Sequence, residues 1–163
     1  MRPGFVLITA TLAVMALFIR PANKPRYTLN LSRSVPVGLY RLEGQSLQRG
    51  DFAVIQLGQP WYDLAQSRRY LLSKAWLIKP VAALAGDRVC RLGGLITING
   101  RIAAIAQLTD ETGRFLPKWD GCTALAPDEM FLLSDVNGSF DGRYFGITRR
   151  SALVARAVPM FWP

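Results

Sequence analysis

From residue 27 onward the chain breaks into apolar runs of four to nine residues, punctuated by glycine, proline, asparagine and aspartate. That rhythm predicts a mainly β fold of short antiparallel strands, with one or two short helices. The runs are Leu39 to Leu42, Phe52 to Leu57, Ala75 to Ala83, Arg88 to Leu92, Leu95 to Ile98, Arg101 to Ile105, Met130 to Leu133 and Val154 to Phe161. Gly93-Gly94 joins two of them, and Asn99-Gly100, a pair that tolerates positive φ, joins the next two, so a meander is expected from Arg88 to Ile105. Near-helical spacing of Trp61, Leu64, Ala65, Arg68 and Leu72 predicts a helix over Pro60 to Leu72. A second short helix is expected over Thr148 to Leu153. With 163 residues, half of them hydrophobic, the chain suits one folded domain better than two.

Ahead of that domain, Gly4 to Ile19 carries no charge and is rich in Val, Leu, Ile, Phe and Ala between Arg2 and Arg20. Such a stretch is expected to be a membrane segment or a signal sequence, with a buried core helix as the plainer alternative. Its end, Ala16-Leu17-Phe18-Ile19-Arg20, puts bulky groups where a signal sequence would carry small ones before a cut. An uncleaved anchor over 1–20 is therefore expected, then a proline-containing linker over 21–26 and the folded domain over 27–163. Arg20, Lys24 and Arg26 outnumber Arg2 and the amino terminus, against a simple positive-inside count.

The net charge of +9 is carried mostly by arginine and spread along the chain. It reads as a solvated surface or, functionally, as attraction to anionic lipid; nucleic acid is not expected, because no basic motif is interleaved with aromatics. Cys90 and Cys122 have no companions at metal-ligand spacing, which leaves a disulfide or two buried thiols. A bridge would imply an oxidising compartment.

The sequence contains no histidine. That removes the Ser-His and Cys-His couples, His-ligated zinc and the commonest general acid-base side chain. A hydrolase built on this chain needs a carboxylate or a deprotonated lysine as base, and there are four lysines: Lys24, Lys74, Lys79 and Lys118. Lys79 lies inside Ala75-Trp76-Leu77-Ile78-Lys79-Pro80-Val81-Ala82-Ala83, a strand apolar on both sides. Desolvation there would lower its pKa towards the range a base needs, whereas a lysine at a strand edge would extend its amine to water. Ser32 and Ser34 stand two apart before Val35-Pro36; in an extended chain their hydroxyls share a face, although Ser-x-Ser before proline is commonly just a turn entry.

Taken together these segments resemble the type I signal peptidase family. Ser32 to Pro36 is similar to its serine box and Lys79 to Asp87 to its lysine box. Arg49-Gly50-Asp51-Phe52-Ala53-Val54 looks like its Gly-Asp strand entry, and Ser134 to Gly146 like its last box. Pro36-Val37-Gly38-Leu39-Tyr40, the cysteines in Gly86-Asp87-Arg88-Val89-Cys90 and Gly121-Cys122, and Ser139-Phe140-Asp141-Gly142-Arg143-Tyr144-Phe145-Gly146 most resemble the conjugal-transfer pilin-processing branch, the TraF type. Val35, Pro80, Ala85 and Gly142 depart from the family's Met, Arg, Pro and Ser.

The resemblance implies a signal-peptidase-like β domain with Ser34 as nucleophile and Lys79 as general base. Ser32 would support the oxyanion, Ser139 would orient the lysine amine, Asp141 and Arg143 would form a structural pair, and Cys90 and Cys122 a disulfide. No cofactor and no metal are implied. The expected partners are a pilin precursor, or another membrane-associated preprotein, and the lipid bilayer through residues 4–19. The expected location is the bacterial inner membrane with the domain in the periplasm, or soluble periplasm after signal removal. The alternatives are a general signal peptidase for exported preproteins and, from another class, a non-enzymatic anchored β module of a transfer or secretion apparatus.

Overall fold

The structure, a computed structural model, describes residues 26–71 and 76–160. The expected anchor over 1–20 and nearly all of the linker lie outside the described residues. Among those described, no helix is long and apolar enough to cross a membrane.

Two antiparallel sheets make up the fold. The larger runs β1 (Tyr27–Asn30), β2 (Gly38–Glu43), β11 (Leu153–Pro159), β3 (Phe52–Ile55), β4 (Leu77–Ala83), β9 (Glu129–Leu132) and β10 (Thr148–Arg149) in spatial order. The smaller runs β7 (Arg101–Ile105), β6 (Leu95–Ile98), β5 (Arg88–Leu92) and β8 (Gly121–Ala124). The last long strand inserts between β2 and β3, pairing Ala157 with both Leu42 and Phe52, so the two ends of the domain are knitted into one sheet.

The apolar runs end where their turn chemistry says they should. Asn99 and Gly100 have φ of 51° and 78°, the left-handed pair a two-residue I′ turn requires, and they join β6 to β7 as expected. Helix α1 (Trp61–Ser67) is shorter than the spacing predicts, because Arg69 turns to a φ of 60° and Tyr70 N–H reaches back to Ala65 O at 2.8 Å. The helix expected over Thr148 to Leu153 is instead the bridge β10, pairing Thr148 with Met130, followed by one 3-10 turn over Arg150–Ala152. Pairing to β9 takes up the first two residues and leaves too few for an α-helical nucleus.

Three elements carry no clear signal in the sequence. Strand β1 is a four-residue edge, β8 reads Gly-Cys-Thr-Ala with every residue exposed, and α2 (Gly142–Phe145) is a single turn capped by Asp141, whose carboxylate accepts from Arg143 N–H. Cys90 pairs directly with Cys122 across β5 and β8, and the two form a disulfide with an S–S distance of 2.04 Å.

Strand β4 is the pivot. It lies between β3 and β9, and its side chains feed three buried clusters. Leu77 and Val81 pack with Ile55, Leu132 and Tyr144. Ile78 packs with Val35, Tyr40 and Val54. Ala83 packs with Val89, Ile96 and Phe131 beneath the smaller sheet. Lys79 shares the face of Leu77 and Val81, in the middle of a largely buried strand.

Candidate active site

Lys79 is 3% exposed, paired in register with Ala53 of β3. Its Nζ donates to Ser139 Oγ at 2.7 Å. Burial penalises the ammonium and outweighs the opposing pull of the Asp141 carboxylate; the positive charge of Arg143 adds to the lowering, and the pKa falls from 10.5 to about 8. The order of those effects is what matters chemically. A buried lysine answered by a close carboxylate would stay charged, whereas this one is answered by a neutral hydroxyl.

Asp141 is engaged elsewhere. Its Oδ1 accepts from Arg143 Nε at 3.0 Å and its Oδ2 from Arg143 Nη2 at 2.9 Å, a bidentate pair with both residues fully buried. Oδ2 also accepts from Ser134 N–H at 3.0 Å. Arg143 distributes its remaining donors over the carbonyls of Ser134, Val136 and Asn137, folding residues 134–141 into a loop around the guanidinium. Such a buried pair is costly to desolvate, and here it serves as the template for the loop that presents Ser139 to Lys79.

Gly142 belongs to the same template. A Cβ there would lie 2.6 Å from Leu132 O and 2.7 Å from the Phe131 ring, so the glycine that replaces the family's serine is required by close packing.

Pro80 sits in a central strand at the end of the named pairing to β9, where its missing N–H forfeits at most one bond. Val81 N–H donates to Asp51 O at 2.8 Å, so the strand's alternation turns the Pro80 nitrogen towards β9. The named pairing to β9 runs only from Val81 to Ala83, and the Pro80 carbonyl still accepts from Leu133 N–H at 3.0 Å. The proline therefore falls where the ladder ends, beside the loop carrying Ser134 and Ser139.

Ser34 lies in the connection between β1 and β2, half-buried. The connection is a turn, the commoner of the two conformations expected for Ser-x-Ser before proline, and it brings Ser32 Oγ and Ser34 Oγ to 3.2 Å by curling the backbone. Two contacts fix it to the lysine side of the site. Val35 is buried in the same cluster as Ile78, the chain neighbours of Ser34 and Lys79 respectively. Ser134 Oγ donates to the Ser34 carbonyl at 2.5 Å, while Ser134 N–H is held by Asp141. The structure thus makes three close pairs of the expected residues, Ser32 with Ser34, Lys79 with Ser139 and Asp141 with Arg143, and Ser134 links the first to the third.

Sequence reasoning passes over Ser134 and Asn30, both of which hold the serine turn through hydrogen bonds. The signal available for Ser134 is its place at the head of the final box; Asn30 offers only a polar residue two positions before Ser32. Asp87, the acid that closes the lysine box, has a structural part. Arg49 grips it through both oxygens, with Asn99 and Leu84 N–H adding donors, and the arginine holds its carboxyl down to about 2. Among the described residues no group of three or more His, Cys, Asp or Glu side chains could hold a metal ion.

The chain matches the family model for signal peptidase, peptidase S26, over residues 3–162. It therefore belongs to that family. It is 35% identical over 146 residues to the conjugal transfer protein TraF of Agrobacterium fabrum, covering 83% of this chain and 82% of that one. A plasmid transfer protein TraF of Escherichia coli is 30% identical over 145 residues, covering 81% of each. Among solved structures, a signal peptidase I from Enterococcus faecalis superposes with a TM-score of 0.39 at 17% identity, covering 70% of this chain and 98% of that one.

Proposed function

We propose that the protein is a membrane-anchored serine peptidase with a Ser34/Lys79 dyad that processes a conjugative pilin precursor through an acyl-enzyme. The observation that carries this reading is the buried amine of Lys79, bonded to a neutral hydroxyl and lowered to about 8. Membership of the signal peptidase family supports a peptidase, and the similarity to transfer proteins from two bacteria supports a substrate from a transfer apparatus.

In this mechanism neutral Lys79 takes the Ser34 proton as Oγ attacks the scissile carbonyl. Ser34 N–H and the Ser32 hydroxyl hold the oxyanion, and the lysine ammonium returns its proton to the departing amine. Water then releases the acyl group, or the substrate's own amino terminus does, which would close the product into a ring. Ser139 keeps the amine aimed throughout. Residues 4–19 anchor the domain on the periplasmic side of the inner membrane and bring it to membrane-held precursors. The second reading, a general signal peptidase, shares every step and differs in substrate.

Co-expression of a candidate pilin precursor with wild type, Ser34→Ala and Lys79→Ala, with products weighed by mass spectrometry, tests the proposal. Both variants are expected to leave the precursor whole, and unchanged processing in either refutes the dyad. A product lighter than the linear mature peptide by one water marks ring closure. Cleavage of ordinary exported preproteins would favour the second reading. With purified enzyme, kcat/KM is expected to rise with pH and level off above about 8, since the base must lose its proton. A flat profile from pH 6 to 9 counts against Lys79.

A further inference from the structure

Asn30 ends β1, opposite Gly38 of β2, and is 6% exposed although Leu29 and Leu31 beside it are 61% and 67% exposed. A buried amide on an edge strand needs partners for two N–H groups and two lone pairs. Asn30 finds all of them in the serine turn. Its Nδ2 lies 2.7 Å from Ser32 O, 3.0 Å from Val35 O and 3.0 Å from Pro36 O. Its Oδ1 accepts from Ser32 N–H at 3.2 Å and from Ser32 Oγ at 2.9 Å. No partner of this side chain lies outside residues 32–36 among the described residues.

The Ser32 hydroxyl has one hydrogen and two acceptors within reach, Asn30 Oδ1 at 2.9 Å and Ser34 Oγ at 3.2 Å. An amide carbonyl is the stronger acceptor and the nearer, so in the resting site the hydrogen goes to Asn30. Ser32 Oγ is then left to accept from Ser34. Once a tetrahedral oxyanion forms, it outcompetes a neutral amide, and the Ser32 hydrogen can swing to it while the oxygen keeps its place.

On the peptidase reading above, we propose that Asn30 is a positioning residue for the reaction. It fixes the position of the Ser32 hydroxyl oxygen, so that the oxyanion donor stands in place before substrate arrives.

The test is a double-mutant cycle in the full-length enzyme, using Asn30→Ala, Ser32→Ala and both together, on a precursor that wild type cleaves and Ser34→Ala does not. Asn30→Ala is expected to lower kcat roughly 10- to 100-fold, with KM changed less than about threefold, since the contact matters to the oxyanion and not to initial binding. In the Ser32→Ala background the same change is expected to cost less than about threefold. Equal losses in both backgrounds would overturn the proposal, because Asn30 would then be acting as general scaffolding. The near-isosteric Asn30→Asp turns carboxylate oxygens towards three carbonyls and is expected to be at least as impaired as Asn30→Ala; wild-type rates would equally overturn it. If Asn30→Ala does not fold, Asn30→Ser takes its place in the cycle with the same criteria. Amide exchange at Ser32 needs no substrate and is expected to quicken at least about tenfold in Asn30→Ala; unchanged exchange removes the grip on which the idea depends. Were wild type and Ser34→Ala to cleave alike, the peptidase reading would fall, while the exchange result would still judge the hold of Asn30 on the turn.

Discussion

Replacing Lys79 by methionine should abolish processing and yet make the domain more stable at neutral pH. The unfolded chain binds the lysine proton with an ordinary value of 10.5 and the folded one with about 8. Below pH 8 both states are protonated, and the folded state carries the full cost of the buried charge. Between pH 8 and 10.5 the folded state gives up its proton first, the unfolded chain holds more, and stability rises with pH until the cost is gone. At pH 7 that cost is about 3 kcal/mol, taking ~1.4 kcal/mol for each tenfold difference in proton affinity. Methionine is unbranched, of similar length and without charge, but it forfeits the bond to Ser139 Oγ, worth about 1 kcal/mol. The variant should therefore exceed wild type by about 2 kcal/mol at pH 7, and the gap should close to about zero by pH 10, where roughly 1 kcal/mol of the cost remains. Denaturant unfolding of the solubilised full chain, followed by tryptophan fluorescence at both pH values with the disulfide intact, measures the gap. Taking the difference between the two proteins cancels every other group that titrates in that window. A gap that is negative at pH 7, or constant between pH 7 and 10, would refute the assignment of Lys79 as a desolvated base.

Arg143→Met leaves Asp141 fully buried without its bidentate partner and should cost about 3 to 5 kcal/mol, with much of the loss recovered in the Asp141→Asn/Arg143→Met double variant; calorimetry on the three proteins checks this. Gly142→Ser restores the family's residue but places a Cβ 2.6 Å from Leu132 O, and should lower stability by roughly 1 to 3 kcal/mol; an unshifted melting temperature would show that the α2 turn can move away freely.

The Asp141 partner of Arg143 is an expectation of the resemblance, whereas the packing partners of Gly142 are not revealed by the sequence, and that contrast marks how much of the fold was legible. Strands β5, β6 and β7 keep the boundaries read from the sequence because their turns are local: Gly93-Gly94 and Asn99-Gly100 state their own geometry. What escapes is what depends on a distant partner. Strand β8 has no apolar pattern and exists because Cys122 faces Cys90, 32 positions away. Arg69 ends α1 by a left-handed turn that nothing in Ser67-Arg68-Arg69 announces, since arginine has no preference for it.

The site divides along the same line, and the division has a chemical reason. Ser34, Lys79, Ser139, Asp141 and Arg143 are recognisable because a chain without histidine narrows the bases to a few lysines, and one of these stands in an apolar strand. Their company in ordered boxes does the rest. Asn30 and Ser134 escape because most of their work is done on backbone, which every residue has: Asn30 grips the carbonyls of Ser32, Val35 and Pro36 besides the Ser32 hydroxyl, and Ser134 grips the carbonyl of Ser34. A side chain that bonds another side chain leaves a paired signature of types, whereas one that bonds backbone leaves a signature at one position only. Yet these backbone grips are what a desolvated base requires. The pKa of Lys79 is lowered by burial against the pull of Asp141, so the elements around it are best held by contacts that bring no further negative charge near the amine. An amide on Val35 O and a hydroxyl on Ser34 O meet that requirement, and the buried carboxylate of Asp141 beside the site is tolerable because Arg143 answers it at 2.9 Å.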